Sequence, residues 1–139
     1  MIIDVTCAII EDNGKILVAQ RKKESSYSLL YEFPGGKINP GETEHECIQR
    51  EIFEELRLRI AVHQPLTSVE HGEKEKVIRL IPFICSVIGG NLEVLEHEQV
   101  LWVYPEELTS LNWCPADIPI MKEYLAVKNF SPTAELKMV

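Results

Sequence analysis

The sequence predicts a layered domain of mixed strands with two or three helices, of α/β (α+β) class. Three observations point there. An Ile- and Val-rich run opens the chain and meets a hairpin turn, residues 43–57 carry one amphipathic helix, and strand-like runs follow that helix. The chain has 139 residues, 45% of them hydrophobic and 26% charged. That is ordinary globular composition and enough chain for a core without staples. A single domain over residues 1–128 is expected, with a frayed tail over 129–139.

Residues 2–11 are rich in Ile and Val and read as a strand, and Asp12-Asn13-Gly14 is a hairpin signal, since Asn and Gly tolerate positive φ. Residues 15–20 return as its partner, and 21–28 are a polar loop. Residues 29–42 start extended and become a Gly/Pro-punctuated loop. The helix over 43–57 opens with Thr43 and Glu46, a capping-box spacing, and buries Ile48, Ile52 and Leu56. Strands are expected around 60–71 and 76–88, joined by a charged turn, with Gly89-Gly90-Asn91 breaking the second. A further strand over 100–104 is closed by Pro105. Residues 105–111 predict a short helix and 115–127 a last one.

Formal net charge is −8. Bulk attraction to duplex nucleic acid or to an anionic membrane is therefore not expected. A small anionic ligand remains compatible, because a bound cation reverses the local sign. No apolar run reaches membrane-spanning length, and the opening segment carries Asp4 and lacks a basic start, so it reads as a strand and not as a signal peptide. Cys7, Cys47, Cys85 and Cys114 are widely spaced and form no CxxC, which predicts reduced thiols in a cytoplasmic protein. Monomer and homodimer both remain open.

The chemistry concentrates in the helix. Glu51, Glu54 and Glu55 stand at i, i+3 and i+4, where like charges repel, and they lie in the half of the helix whose dipole prefers cations. A hard divalent cation would relieve both penalties, and all-oxygen ligation suits Mg²⁺ or Mn²⁺. Taken alone, the cluster reads first as a solvated acidic face partnered by Arg50 and Arg57. The upstream residues shift that balance: Glu32-Phe33-Pro34-Gly35-Gly36-Lys37 and Pro40-Gly41-Glu42 make a stiff glycine loop that lets backbone approach a ligand. Arg50 is placed to clamp carboxylates with its planar fork.

Gly36, then Glu42, then Arg50-Glu51-Ile52-Phe53-Glu54-Glu55 and Leu58 resemble the Nudix box, G-x5-E-x7-R-E-U-x-E-E-x-G-U. Eight of its nine specified positions agree, and Arg57 stands where the family has the glycine that ends the helix. The rest of the chain resembles the MutT-type branch. The resemblance implies a Nudix-type α/β/α sandwich with a mixed β-sheet, and Mg²⁺-dependent hydrolysis of a nucleoside triphosphate to monophosphate and pyrophosphate, with Mn²⁺ able to substitute. It implies Glu51, Glu54, Glu55 and the Gly35 carbonyl as metal ligands, with Glu42 and Arg50 supporting them. Glu51 or a loop glutamate becomes the general base; spacing to Trp102 favours Glu96 over Glu98 as that loop residue, and Glu96 joins the metal ligands. Arg21, Gly36 and Lys37 become substrate contacts.

Asp117, in Pro115-Ala116-Asp117-Ile118-Pro119, falls in the segment that contacts the nucleobase in MutT-type enzymes. An ionised carboxylate only accepts, which suits the amino group of cytosine. A protonated one donates and accepts, as an oxidised guanine requires. Asp117 also suits the N-cap of the last helix. His45, His63, His71 and His97 have no metal-like spacing and read as surface histidines, and Trp102 and Trp113 as core or pocket wall. Tyr31 and Phe33 are candidates for lining a base pocket. The expected activity is sanitation of modified or oxidised nucleotides, such as CTP or dCTP derivatives and 8-oxo-dGTP. A hydrolase of another nucleoside diphosphate derivative and a non-catalytic nucleotide-binding module are the alternatives.

Overall fold

A computed structural model describes residues 1–128; the expected tail, 129–139, lies outside the described residues. Strands β1 (Ile2–Asp12), β2 (Lys15–Gln20), β3 (Tyr31–Glu32) and β4 (Gly35–Lys37) precede helix α1 (Glu44–Leu56). Strands β5 (Leu58–Pro65), β6 (Val69–Glu73), β7 (Lys76–Gly90) and β8 (Gln99–Val103) follow. Two 3-10 turns, Pro105–Ser110 and Pro115–Asp117, lead to α2 (Ile118–Lys128).

The eight strands form one mixed sheet. Its spine is the parallel pair β1 and β7, in register from Ile2 opposite Val77 to Glu11 opposite Ser86. Both β4 and β2 pair antiparallel with β1, at Val5–Cys7 and at Ile10–Asp12 respectively. β8 and β3 continue from β2, while β5 and β6 share β7 end to end. Period-2 alternation sorts the core into two layers. Cys7, Ile9, Ile16, Val18 and Ile84 face α2 residues Ile120, Met121 and Tyr124. Ala8, Ile10, Leu17, Phe83 and Cys85 face Ile48, Ile52 and Leu56 of α1. The sandwich expected from the sequence is thus present.

The hairpin turn has Asn13 at φ 50° and Gly14 at φ 77°, the left-handed pair that a two-residue loop needs. The capping box is also made: Glu46 N–H donates to Thr43 Oγ1 at 3.1 Å, and Thr43 N–H to Glu46 Oε1 at 2.9 Å. Other boundaries differ from expectation. The run around 60–71 is two strands, because Leu66–Ser68 turn aside; Thr67 gives its N–H and hydroxyl to the Glu123 carboxylate of α2 at 2.8 and 2.7 Å. β7 does not break at Gly89 but continues through Gly90, where a Cβ would overlap the Arg57 carbonyl. Residues 105–110 wind as 3-10 turns rather than as an α-helix. The four cysteines are free and buried. Among the described residues, no helix is long and apolar enough to cross a membrane.

Candidate active site

β4 brings the glycine loop against both β1 and α1. A Cβ on Gly35 would collide with the Thr6 carbonyl, so only glycine lets β4 close on β1 at this point. A Cβ on Gly36 would occupy the space of the Glu51 carboxylate. Thr6, fully buried, donates its hydroxyl to the Gly36 carbonyl at 3.3 Å and fixes the loop from behind.

Arg50 organises the acidic face. Its Nε and Nη2 take both oxygens of Glu42 at 2.6 and 2.9 Å, and Nη2 also donates to the Lys37 carbonyl at 3.1 Å. Nη1 reaches Glu51 Oε1 at 3.1 Å and Glu54 Oε1 at 2.8 Å. These five contacts use the whole donor fork. The Arg50 bonds, helped by the Asn39 N–H, hold the Glu42 carboxyl down at about 2. Glu42 and Arg50 are therefore a fixed ionic strut joining the glycine loop to α1.

The three box glutamates occupy different environments. The Glu54 side chain is 56% exposed and that of Glu51 only 16%, so their one shared partner, Arg50, spans the wall between solvent and site. Glu55 turns inward: its Oε1 is buried without a hydrogen-bond partner, and burial, with Glu51 and Glu32 nearby, pushes its pKa up to about 9. Glu55 borders a cleft of about 250 Å³ with Gly35, Glu96, Arg21 and Lys22. Among the described residues the carboxylates do not stand as a ready-made metal cluster, because Arg50 draws Glu51 and Glu54 to itself. The donor set is nonetheless all oxygen, the orphaned Glu55 oxygen lacks a positive partner, and the space beside Gly36 is kept for a carboxylate. These features fit a hard divalent cation.

A second cleft, of about 290 Å³, adjoins the first and shares Arg21 and Glu32 with it. Glu32 is the divider. Its Oε1 accepts from Arg21 Nη1 at 3.0 Å and its Oε2 pairs with His97 Nε2 at 2.9 Å. Asp117 borders this second cleft, 4% exposed. Its Oδ1 accepts the Phe33 N–H at 3.0 Å, and burial, reinforced by Glu32, pushes its pKa up to about 8. Burial thus favours a neutral carboxyl, which both donates and accepts, over the ionised, acceptor-only form. Asp117 is the last residue of a 3-10 turn, directly before α2, and its Oδ1 bonds across to the strand layer.

Other expected residues resolve as follows. Glu96 borders the first cleft, whereas Glu98 accepts the Lys23 N–H at 3.4 Å. The Lys37 side chain is exposed and borders neither cleft. Phe33 is buried against Trp113, with ring centroids 4.8 Å apart, and Tyr31 takes a bond from Gln99, so neither borders the Asp117 cleft. His97 is not a surface histidine; it is 9% exposed and holds Glu32. The roles of Glu32 and His97 left no periodic or spacing signal, since each acts through a partner 65 residues away.

Known proteins resemble this chain along most of its length. The NUDIX domain family matches residues 2–124. The chain is 35% identical over 130 residues to the CTP pyrophosphohydrolase of Escherichia coli K12, covering 94% of this chain and 96% of that protein. It is 31% identical over 109 residues to a putative 8-oxo-dGTP diphosphatase of Mycobacterium tuberculosis, with 73% of each covered. Among solved structures it is similar to the solution structure of the E. coli ORF135 protein, with TM-score 0.81, 35% identity and 94% of each chain covered. It is also similar to a Staphylococcus aureus MutT protein, with TM-score 0.74, 36% identity, and 91% of this chain and 97% of that one covered.

Proposed function

The chain belongs to the NUDIX hydrolase family, and on that premise we propose that it is a Mg²⁺-dependent pyrophosphohydrolase of nucleoside triphosphates. It releases a nucleoside monophosphate and pyrophosphate and acts on modified or oxidised nucleotides, with CTP or dCTP derivatives and 8-oxo-dGTP as the leading substrates. The observation that carries this reading is the pair of adjoining clefts. One joins Glu55, Glu96 and Gly35 to the cations Arg21 and Lys22, and the other has the neutral Asp117 acid on its wall. A polyphosphate suits the first and a nucleobase the second.

Gly35 (through its carbonyl), Glu51, Glu54, Glu55 and Glu96 are the residues that would hold Mg²⁺. When bound, the ion lowers the pKa of a water and offsets phosphate charge. Arg50 and Glu42 keep the glutamate face in place against Gly36. Arg21 contacts phosphate while Glu32 fixes its direction, and the exposed Lys37 adds positive charge at the loop end. Glu51 or Glu96 takes the proton of the attacking water. Asp117 offers a donor and an acceptor side by side, which complements the amino and ring nitrogen edge of cytosine and the acceptor–donor edge of an oxidised guanine. The activities for which the two relatives are named, one on CTP and one on 8-oxo-dGTP, support both.

The test is a panel of CTP, dCTP, 5-hydroxy-dCTP, 8-oxo-dGTP, dGTP, dATP and ADP-ribose with Mg²⁺, scored by release of monophosphate and pyrophosphate. Turnover led by the cytosine or oxidised-guanine members is expected. Turnover of ADP-ribose alone, or of nothing, overturns the proposal. Glu54→Gln should abolish turnover and leave the melting temperature nearly unchanged, since an exposed pair contributes little stability.

A further inference from the structure

The β2–β3 loop meets the β6–β7 hairpin through one pair of side chains. Tyr27 Oη lies 3.2 Å from His71 Nε2, and the two rings meet edge to face with centroids 6.4 Å apart. Both residues border the Asp117 cleft of about 290 Å³. Tyr27 also borders another hollow, of about 500 Å³, together with Gly72 and Lys74 of the hairpin tip. Ser26, Tyr27, Glu73 and Lys76 border both hollows, so the two are neighbours and Tyr27 is on the wall they share, while His71 borders the Asp117 cleft.

The backbone holds Tyr27 there against its own preference. Tyr27 has φ 52° and Leu29 has φ 62°, both left-handed and both without the freedom of glycine. The loop is wound around the Arg21 side chain, which donates from Nε to the Ser26 carbonyl at 2.7 Å and from Nη2 to Ser26 Oγ at 3.2 Å. Backbone bonds from Arg21 to Leu30 and from Leu29 to Arg21 close its base, at 2.9 and 3.2 Å. The same arginine proposed to meet phosphate therefore also presents Tyr27 at the mouth of the neighbouring cleft.

We propose that Tyr27 and His71 are specificity-determining residues: touching across the mouth of the Asp117 cleft, they limit the size of the nucleobase and favour a single-ring pyrimidine over a bicyclic purine. The inference rests on the triphosphate reading above and deepens it. Asp117 reads the hydrogen-bonding edge of the base, and the Tyr27–His71 wall reads the bulk behind that edge. Losing either ring widens the Asp117 cleft, and losing Tyr27 widens it toward the neighbouring hollow, which gives more room to a second ring.

The experiment compares wild type with Tyr27→Ala, His71→Ala, Tyr27→Phe and Tyr27→Trp. It measures kcat/KM for pyrimidine and purine nucleoside triphosphates, with a thermal melt of each variant. Both alanine variants should raise the purine-to-pyrimidine ratio by about tenfold, the scale on which pocket size discriminates. Tyr27→Phe keeps the ring and should move the ratio less, while Tyr27→Trp fills the mouth and should lower it. A ratio within about twofold of wild type in both alanine variants, at unchanged melting, overturns the proposal. If the alanine variants melt early, the direction of the Tyr27→Trp change decides. Absence of triphosphate turnover in wild type removes the underlying reading itself, and that result is separate from any change of ratio.

Discussion

Gly36 is the residue on which the site's geometry turns most directly. Its backbone needs no positive φ, and the nearest atoms an alanine Cβ would meet all belong to the Glu51 carboxylate. That carboxylate is the far end of a flexible side chain. Gly36→Ala should therefore cost little stability but should displace Glu51 and loosen its bond to Arg50 Nη1. Misplacing a reacting group by about 1 Å costs on the order of 100-fold in rate, so kcat should fall by that order while the melting temperature stays within a few degrees. An active Gly36→Ala enzyme would mean that Glu51 works from elsewhere. The importance of this glycine was legible in the sequence, because the box motif names it. The reason for it was not, since the contact with Glu51 exists only once β4 has closed on β1.

At the scale of the element, α1 shows how a departure from the family pattern is absorbed. Arg57 stands where the box has glycine, yet the helix still ends there. Arg57 adopts φ 58° and ψ 20°, and its N–H donates to the Phe53 carbonyl at 3.0 Å. The N–H groups of Glu93 and Leu95 then take the Leu56 and Glu55 carbonyls at 2.9 and 3.1 Å. The segment after β7 thus serves as the C-cap and at the same time carries Glu96 and His97 toward the cleft. A left-handed non-glycine residue costs about 1–2 kcal/mol. Arg57 offsets part of that by placing its guanidinium 5.2 Å from the Phe53 ring, with Arg59 4.5 Å from the same ring. Arg57→Gly and Arg57→Ala both lose the stacking, so the difference between them isolates the backbone. The glycine variant should be about 1 kcal/mol more stable than the alanine variant by chemical denaturation. Equal stabilities would mean that the left-handed turn is not strained. Helix α1 and its N-terminal capping box were readable because they depend on residues three and four apart. β4, the division of β5 from β6 and the run of β7 through Gly90 were not, because each is decided by a neighbouring strand distant in sequence.

At the scale of the whole molecule, Asp117 ties the two faces of the sandwich to the site. It lies just before α2, yet its carboxyl bonds the Phe33 N–H beside the glycine loop, 84 residues away. Its residue type and segment could be read from the sequence, but its protonation state could not, because burial is a property of the assembled layers. That burial links folding to pH. In the unfolded chain the group titrates near 3.8 and in the folded one near 8. Below about pH 4 both states hold the proton and the group is neutral to stability. Between about pH 4 and 8 the unfolded chain ionises first, so the folded state binds more protons and stability falls as pH rises. Above about 8 the loss is complete. Each unit of such a shift corresponds to about 1.4 kcal/mol. Asp117→Asn keeps the acceptor for Phe33 and cannot ionise. Denaturation of metal-free protein at pH 5.5, 7 and 8.5 should therefore show the variant gaining on wild type as pH rises, by on the order of a few kcal/mol across the range. The other titrating groups cancel in the difference. A constant gap would mean that Asp117 is already ionised in the fold and reads the base as an acceptor alone. An increasing gap, together with base preference that survives Asp117→Asn at pH 7, is the pattern of a neutral carboxyl presenting its donor and acceptor to the nucleobase.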